Sequence, residues 1–289
     1  MSRTARPSAS SSPSPSSSPS PSGLLRLTTT GARSGRPHTV PLGYVRHAGQ
    51  MLVVASNLGA DRHPAWYHNL LARPVVTVRP DGDDAVAFQA VAVPAQGARR
   101  DALFAAVVEA APGYAAYQAR TSRTLPVVVL EQPATDAPQT VTTLAGKLLQ
   151  VHVWLRDQLR HVQAETEAHF AAPAATRPGL GLQIRQHCLA FCQSLEFHHD
   201  SEAGHLFPGI ARFHPELAGV FDRLRAEHVV VGRIQDALVA LLDDVATADP
   251  VAFRAELDRM TRELTAHLDY EEEHLLPVLA EVPWPPVHP

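Results

Sequence analysis

Six polar residues in the second half of this 289-residue chain, His152, His198, Glu202, His228, His267 and Glu271, fall in phase with the apolar stripes of four successive helical segments. Leu148, Leu155 and Leu159 flank His152, and Ile184, Phe191 and Leu195 lead to His198 and Glu202. Phe221, Leu224 and Val231 enclose His228, and Leu257, Met260 and Leu264 lead to His267 and Glu271. Steps of three and four residues place all of these on inward faces. The two His-x-x-x-Glu intervals put both side chains on one helical face, about one turn apart. A carboxylate buried among leucines is costly unless a cation compensates it, and ions held by imidazoles and carboxylates do so. A single buried histidine is more often satisfied by a hydrogen bond. Six in-phase polar residues on four helices instead predict a pair of metal ions, iron foremost, inside a four-helix bundle.

The words around these residues are Glu196-Phe-His-His-Asp-Ser-Glu202 with Leu206-Phe-Pro208, Leu224-Arg-Ala-Glu-His228, and His267-Leu-Asp-Tyr-Glu-Glu-Glu-His274-Leu-Leu-Pro277. Together, over residues 145 to 282, they resemble the hemerythrin-like HHE cation-binding family. The resemblance implies an all-α antiparallel four-helix bundle around a non-haem di-iron centre that binds or senses oxygen, peroxide or nitric oxide. By position, His152, His198, His228 and His267 would be terminal nitrogen ligands, and Glu202 and Glu271 bridging carboxylates. Oxygen carriers of the family have a fifth histidine one turn after the third-helix ligand, where this chain has Gly232. That position would be open, or filled by water or by a stand-in such as His199, His205 or His274. Of the neighbours His198 and His199, only one is expected to face the metal, and the four-residue interval to Glu202 favours His198.

The net charge of −4 and pI near 6.5 leave no electrostatic footprint for nucleic acid. Cys188 and Cys192 are one helical turn apart, which suits neither a strain-free disulfide nor a two-residue-gap redox motif. They read as small buried residues in a reducing cytoplasm. Residues 1–22, rich in Ser and Pro, lack the apolar core of a signal peptide and read as a disordered tail. No apolar run reaches the about 18 residues of a membrane-spanning helix. Gln132-Pro-Ala-Thr-Asp-Ala-Pro-Gln139 opens a linker, residues 133–144, between the helices and a strand-rich segment, residues 23–132.

In that segment Leu24–Thr30, Val40–Arg46, Met51–Ser56, Val75–Arg79, Ala85–Val93 and Val127–Leu130 are short β-branched or alternating runs bounded by turn residues. Helical patches interrupt them at Trp66–Leu71 and Ala98–Ala110. A small closed or nearly closed barrel with helices outside fits this order. Gly31, Arg33, Ser34, Gly35 and Arg36 form a basic loop that can offer N–H groups and guanidinium to a phosphate; judged alone, it is an ordinary exposed turn.

Three further words are Val54-Ala-Ser-Asn57 with His63-Pro-Ala-Trp-Tyr-His-Asn-Leu70, Pro112-Gly-Tyr-Ala-Ala-Tyr-Gln118, and Arg123-Thr-Leu-Pro126. With Leu27-Thr-Thr-Thr-Gly-Ala-Arg-Ser-Gly-Arg-Pro37 they resemble the deazaflavin-dependent nitroreductase and quinone reductase family, an α+β, flavin-reductase-like split β-barrel. The resemblance implies coenzyme F-420, an 8-hydroxy-5-deazaflavin, and hydride transfer to a quinone or nitro-type acceptor. Arg33, Ser34, Gly35 and Arg36 would hold the cofactor phosphate and tail, and Ser56 and Asn57 would contact cofactor and substrate. Pro64, Trp66, Tyr67 and Asn69 match the family's Pro-x-Trp-Tyr-x-Asn box, and Ser56, Tyr114 and Tyr117 would carry the catalytic contacts. Gly43 and Ala111 stand where relatives can place further tyrosines, and His38 replaces a basic residue. For Trp66, Tyr67 and the tyrosine pair, core packing is the competing reading.

Two readings of the whole chain follow. In one it is an oxidoreductase whose barrel transfers hydride while the di-iron bundle binds or senses a small oxidant. In the other it is a non-enzymatic iron-binding sensor whose barrel only binds cofactor or mediates a homodimer.

Overall fold

The computed structural model describes residues 23–82, 85–132, 141–171, 180–243 and 248–284. The Ser/Pro-rich tail and residues 133–140 of the linker lie outside the described residues.

Six antiparallel strands close a barrel in the order β1-β2-β3-β6-β5-β4. They are β1 (Gly23–Thr30), β2 (Pro37–His47), β3 (Gln50–Val54), β4 (Val75–Pro80), β5 (Phe88–Pro94) and β6 (Val127–Glu131). Side-chain alternation sorts their residues into two sets. Leu25, Leu27, Met51, Val53, Val76, Val78, Ala90, Ala92, Val128 and Leu130 form one cluster, to which helix α1 (Ala65–Ala72) adds Trp66, Tyr67 and Leu70. The other parity of β3 and β6, namely Leu52, Val54, Val127 and Val129, packs with Leu103 and Val107 of helix α2 (Gly97–Ala110). These strands are buried on both faces, which is why their sequences read as unbroken apolar runs. Strand β5 begins at Phe88 rather than at Ala85, and Val86 is exposed. A short helix α3 (Gly113–Ala119) carries Tyr114 and Tyr117.

The helices α4 (Leu144–Ala171), α5 (Leu180–Ser201), α7 (Ala218–Asp243) and α8 (Pro250–Leu279) form the bundle. A π-helical turn, Glu202–Leu206, joins α5 to the short α6 (Phe207–Ala211). Helix α8 starts where it does because the Asp249 carboxylate accepts the N–H groups of Val251 and Ala252, with Pro250 in the first turn. Two apolar clusters divide the bundle core. Leu148, Phe207, Phe221, Leu224 and Leu275 lie in one, and Leu155, Phe191, Leu195, Val231, Leu264 and Leu268 in the other. The in-phase histidines fall in sequence between members of the two, so the polar layer is sealed above and below by apolar packing.

Barrel and bundle touch through α5. Val91 and Val93, the outward parity of β5, pack against Ala190, with Val75 and Trp154 beside them. Gln193 donates to the Ala72 carbonyl at 2.9 Å, and Gln186 and Arg185 donate to the Leu71 carbonyl at 3.3 Å, so α5 caps the end of α1. At the same contact His187 Nε2 stands 3.2 Å from Glu131 Oε2 and 3.5 Å from Glu165 Oε1, with His161 stacked on its ring.

Candidate functional site

In the bundle, four imidazoles converge on one carboxylate. Glu271 is fully buried; its Oε2 lies 3.1 Å from His152 Nε2 and 3.3 Å from His198 Nε2. Its Oε1 lies 3.1 Å from His267 Nε2 and 3.3 Å from His228 Nε2. The carboxylate thus divides the site into two donor groups, His152 with His198, and His199 with His228 and His267. Glu202 spans the same halves more loosely, Oε1 being 3.6 Å from His198 and Oε2 3.6 Å from His228. Those separations are too long for hydrogen bonds, and neither buried oxygen of Glu202 has a partner.

The ring orientations also leave donors unspent. His152 turns Nδ1 outward to Glu272 at 2.8 Å, and His267 turns Nδ1 to Glu227 at 3.0 Å. Their Nε2 atoms therefore face inward, at 3.0 Å from His198 Nε2 and 3.1 Å from His199 Nε2. An outer carboxylate fixing the tautomer of an inward imidazole is the arrangement that metal-ligating histidines use. Arg156 holds Glu272 in turn, at 2.6 Å.

Electrostatics agree with this assignment. Burial alone would raise Glu271, yet hydrogen bonds from His152, His198, His228 and His267 hold it well below the usual carboxylate range. Burial and the adjacent negative Glu271 push Glu202 well above that range. Burial, then His228, lowers His199 to about 2, so it is a neutral nitrogen donor. One carboxylate is oversupplied with donors and its neighbour has none, an imbalance that a pair of cations between them would remove. The donor set, imidazole nitrogen and carboxylate oxygen, is chemically compatible with iron.

His199 is the residue that the helical-phase argument discounted. The expectation that one of His198 and His199 faces away does not hold, since both are buried and they serve opposite halves of the site. Its ring stacks on His228 at 3.9 Å between centroids. The other stand-ins lie elsewhere, His205 being exposed and His274 bonded through Nδ1 to the Tyr270 carbonyl. Cys188 and Cys192 are not joined by a disulfide, and their sulfurs stand 3.9 Å apart.

In the barrel, a cleft of about 520 Å³ opens between β2 and the start of α1, lined by His38, Val40, Asn57, Arg62, His63, Pro64, Ala65, Trp66 and His68. Asn69, in the box, sits beneath the basic loop. Its Oδ1 accepts the Ala32 N–H at 3.1 Å, and its Nδ2 donates to Thr29 Oγ1 at 3.1 Å. The loop closes on itself through Gly31 N–H to the Arg36 carbonyl and Gly35 N–H to the Gly31 carbonyl, with Gly35 at φ 65°. Arg33, Ser34 and Arg36 are exposed on it.

The turn that carries Ser56 and Asn57 is strained, with Asn57 at φ 46° and Leu58 at φ 56°. Gly59, at φ 83°, has no room for a Cβ, which would come 2.8 Å from the Tyr117 carbonyl. Arg123 holds this turn. Its guanidinium donates to the carbonyls of Ala55, Ser56 and Ala60 and to His63 Nδ1 at 3.0 Å. Arginine can only donate, so His63 accepts at Nδ1 and carries its proton on Nε2. Burial, then the Arg123 charge, lowers the His63 pKa and keeps the ring neutral.

Trp66 and Tyr67 are buried in the barrel core, and of the two only Trp66 also borders the cleft. Tyr114 and Tyr117 meet edge to face at 5.8 Å in the layer between α2, α3 and the sheet, and neither lines the cleft. The structure therefore does not bring these two tyrosines to the cleft formed by the box.

Comparison with known proteins follows the same division. Residues 17–132 match the model of the F420H(2)-dependent quinone reductase family, and residues 143–279 that of the hemerythrin HHE cation binding domain. The F420H(2)-dependent quinone reductase Rv1261c of Mycobacterium tuberculosis is 43% identical over 109 residues, 37% of this chain and 71% of that protein. The putative F420H(2)-dependent quinone reductase Rv3178 of the same organism is 33% identical over 98 residues, 34% of this chain and 80% of that protein. A solved F420-H2 dependent reductase (FDR-A) is 40% identical, with a TM-score of 0.35 across 38% of this chain and 95% of its own. None of the helices in the described residues is long and apolar enough to cross a membrane. By sequence the chain belongs to the F420H(2)-dependent quinone reductase family, and behind that domain it carries a hemerythrin HHE cation binding domain.

Proposed function

We propose that this protein is a two-site redox protein: the barrel takes hydride from reduced coenzyme F-420 to a quinone or nitro-type acceptor, and the bundle holds a di-iron centre that binds or senses oxygen, peroxide or nitric oxide. The observation that carries the iron reading is the pairing of Glu271, contacted by four imidazoles, with Glu202, whose two buried oxygens have no partner. The barrel reading rests on the 43% identity to a named reductase.

His152 and His198 would hold one ion, His199, His228 and His267 the other, with Glu202 and Glu271 between them. When bound, iron supplies one-electron chemistry and an affinity for small oxidants, and the deazaflavin supplies the hydride. The chain's own residues do the rest. Arg33, Ser34, Gly35 and Arg36, fixed by Asn69, would take the anionic tail of the cofactor, with Arg62 at the cleft mouth. Ser56, Asn57, Pro64 and Trp66 would set the ring, with Tyr67 packed behind. The neutral ring of His63 would offer its Nε2–H as a hydrogen bond to an acceptor oxygen, the kind of contact the family resemblance implies for Tyr114 and Tyr117, and the proton the acceptor takes up would come from solvent.

The test uses the full chain. Protein purified with iron available should carry about two irons per chain and absorb in the near ultraviolet, and the same protein should oxidise reduced F-420 when a quinone is added. Absence of iron from folded protein would sink the first half of the reading, and absence of turnover with any quinone the second. The non-enzymatic sensor remains the competing reading, favoured by one observation: Tyr114 and Tyr117 stand away from the cleft.

A further inference from the structure

We propose that Gly232 opens the metal centre sideways to a small organic ligand, uncharged or cationic, seated in the cleft between α5 and α7. This rests on the iron reading above and goes beyond it in naming what the centre admits.

The cleft measures about 570 Å³, and His199 and His228 belong to its lining. A bound water occupies about 30 Å³, whereas sites for small organic molecules run to roughly 300–1,000 Å³. A centre that met only diatomic gases would not need an opening of this size. Gly232 contributes to keeping it open. Gly232 follows His228 by four residues on α7 and so shares its face. A Cβ built there meets nothing within 4 Å, while the flanking Val231 and Ile234 are packed into the core. Any longer side chain at this position would project into the cleft.

Charge selects among ligands. Glu196, Asp200 and Asp236 line the cleft, and the lining cation Arg225 is paired with Asp222 at 3.0 Å. The surplus of carboxylates disfavours an anion and favours a neutral or positively charged guest. A nitrogen- or oxygen-donor head reaching past Gly232 would arrive beside His199 and His228, on the Oε1 side of Glu271.

The experiment uses the iron-loaded full chain, with 4-methylimidazole and acetate as probes of similar size and opposite charge preference. Iron content is measured first, and binding is then followed by calorimetry and by the optical spectrum. The wild type should bind 4-methylimidazole at least roughly tenfold more tightly than acetate, and Gly232→Trp should weaken that binding by roughly tenfold or more with iron content unchanged. Gly232→Leu should weaken it less and covers the case in which the tryptophan disturbs folding. Equal affinity in wild type and both variants, or acetate bound as tightly as 4-methylimidazole, would overturn the inference while leaving the iron reading intact. A wild type that takes up no iron would defeat both, and the iron assay tells the two failures apart.

Discussion

Glu131, on the last barrel strand, and His187, on the second bundle helix, stand 3.2 Å apart, so the two domains share an ion pair. Burial disfavours charge on both, and the pairing outweighs it: Glu131 is held below its ordinary value and His187 above, with Glu165 adding to the pull on His187. A lowered carboxylate contributes stability above its unfolded value and loses it as pH falls. A raised histidine contributes below its unfolded value and loses it as pH climbs through the raised one. The contact should therefore be tightest between the ordinary carboxylate value of 4.5 and the ordinary histidine value of 6.5, and should weaken on either side. Burial raises Glu165 beside them, so its contribution is full below 4.5 and is lost as pH rises through the raised value, which tilts the optimum toward its acid end. His187→Ala should cost about 1–3 kcal/mol and flatten this profile, read by chemical denaturation across pH.

Replacing Asn69 by Ala removes both hydrogen bonds that hold the basic loop from below. F-420 affinity should fall by roughly thirtyfold, at about 1 kcal/mol for each of the two bonds, while the melting temperature moves little. A loss of affinity no greater than that of an exposed control outside the loop, such as Glu109→Ala on α2, would show that the loop does not bind the tail.

Arg123→Met removes the cation beside His63. The His63 pKa should then rise toward its ordinary value, because that charge contributes to lowering it, and histidine NMR titration reads the change directly. Hydride turnover should drop as the Ser56–Gly59 turn loses its clamp.

His267→Ala and Glu271→Ala should each abolish most iron binding and remove the stabilisation iron gives, about 2.7 kcal/mol when free iron is a hundredfold above Kd. Glu272→Gln, which reaches the site only through the outward nitrogen of His152, should weaken iron by roughly 10–100-fold. His214→Ala, paired at the surface with Glu216, should do neither. Equal iron loss in all four would mean that the wrong helical face has been assigned.

The bundle could be read from its sequence because His152, His228, His267 and Glu271 each occupy a slot in a three-and-four apolar repeat, and burial follows phase. His199 escaped because phase alone separates neighbours by about a quarter turn of helix, while a site with two halves is broad enough to take both. His187 and Glu131 carried no signal, since their partners lie in different domains. In the barrel the loop and box were visible as words, but Arg123 showed its part only once Ala55, Ser56, Ala60 and His63 were brought around it. Helix α3, seven residues long, was not among the helical patches the sequence offered, and its two tyrosines were placed by family resemblance, whereas they pack beside α2 and the sheet. The late start of β5 has the same local origin: nothing packs on exposed Val86.

The seam along α5 makes each half of the chain the other's coat. Val91 and Val93 face Ala190 and Trp154 rather than solvent, and the carbonyls closing α1 are answered by glutamines 115 and 121 residues further along, in the bundle. A barrel severed from its bundle would present that greasy strip bare and would tend to clump. The join is thus more than a tether: the two halves have become a single parcel that does not come apart cleanly.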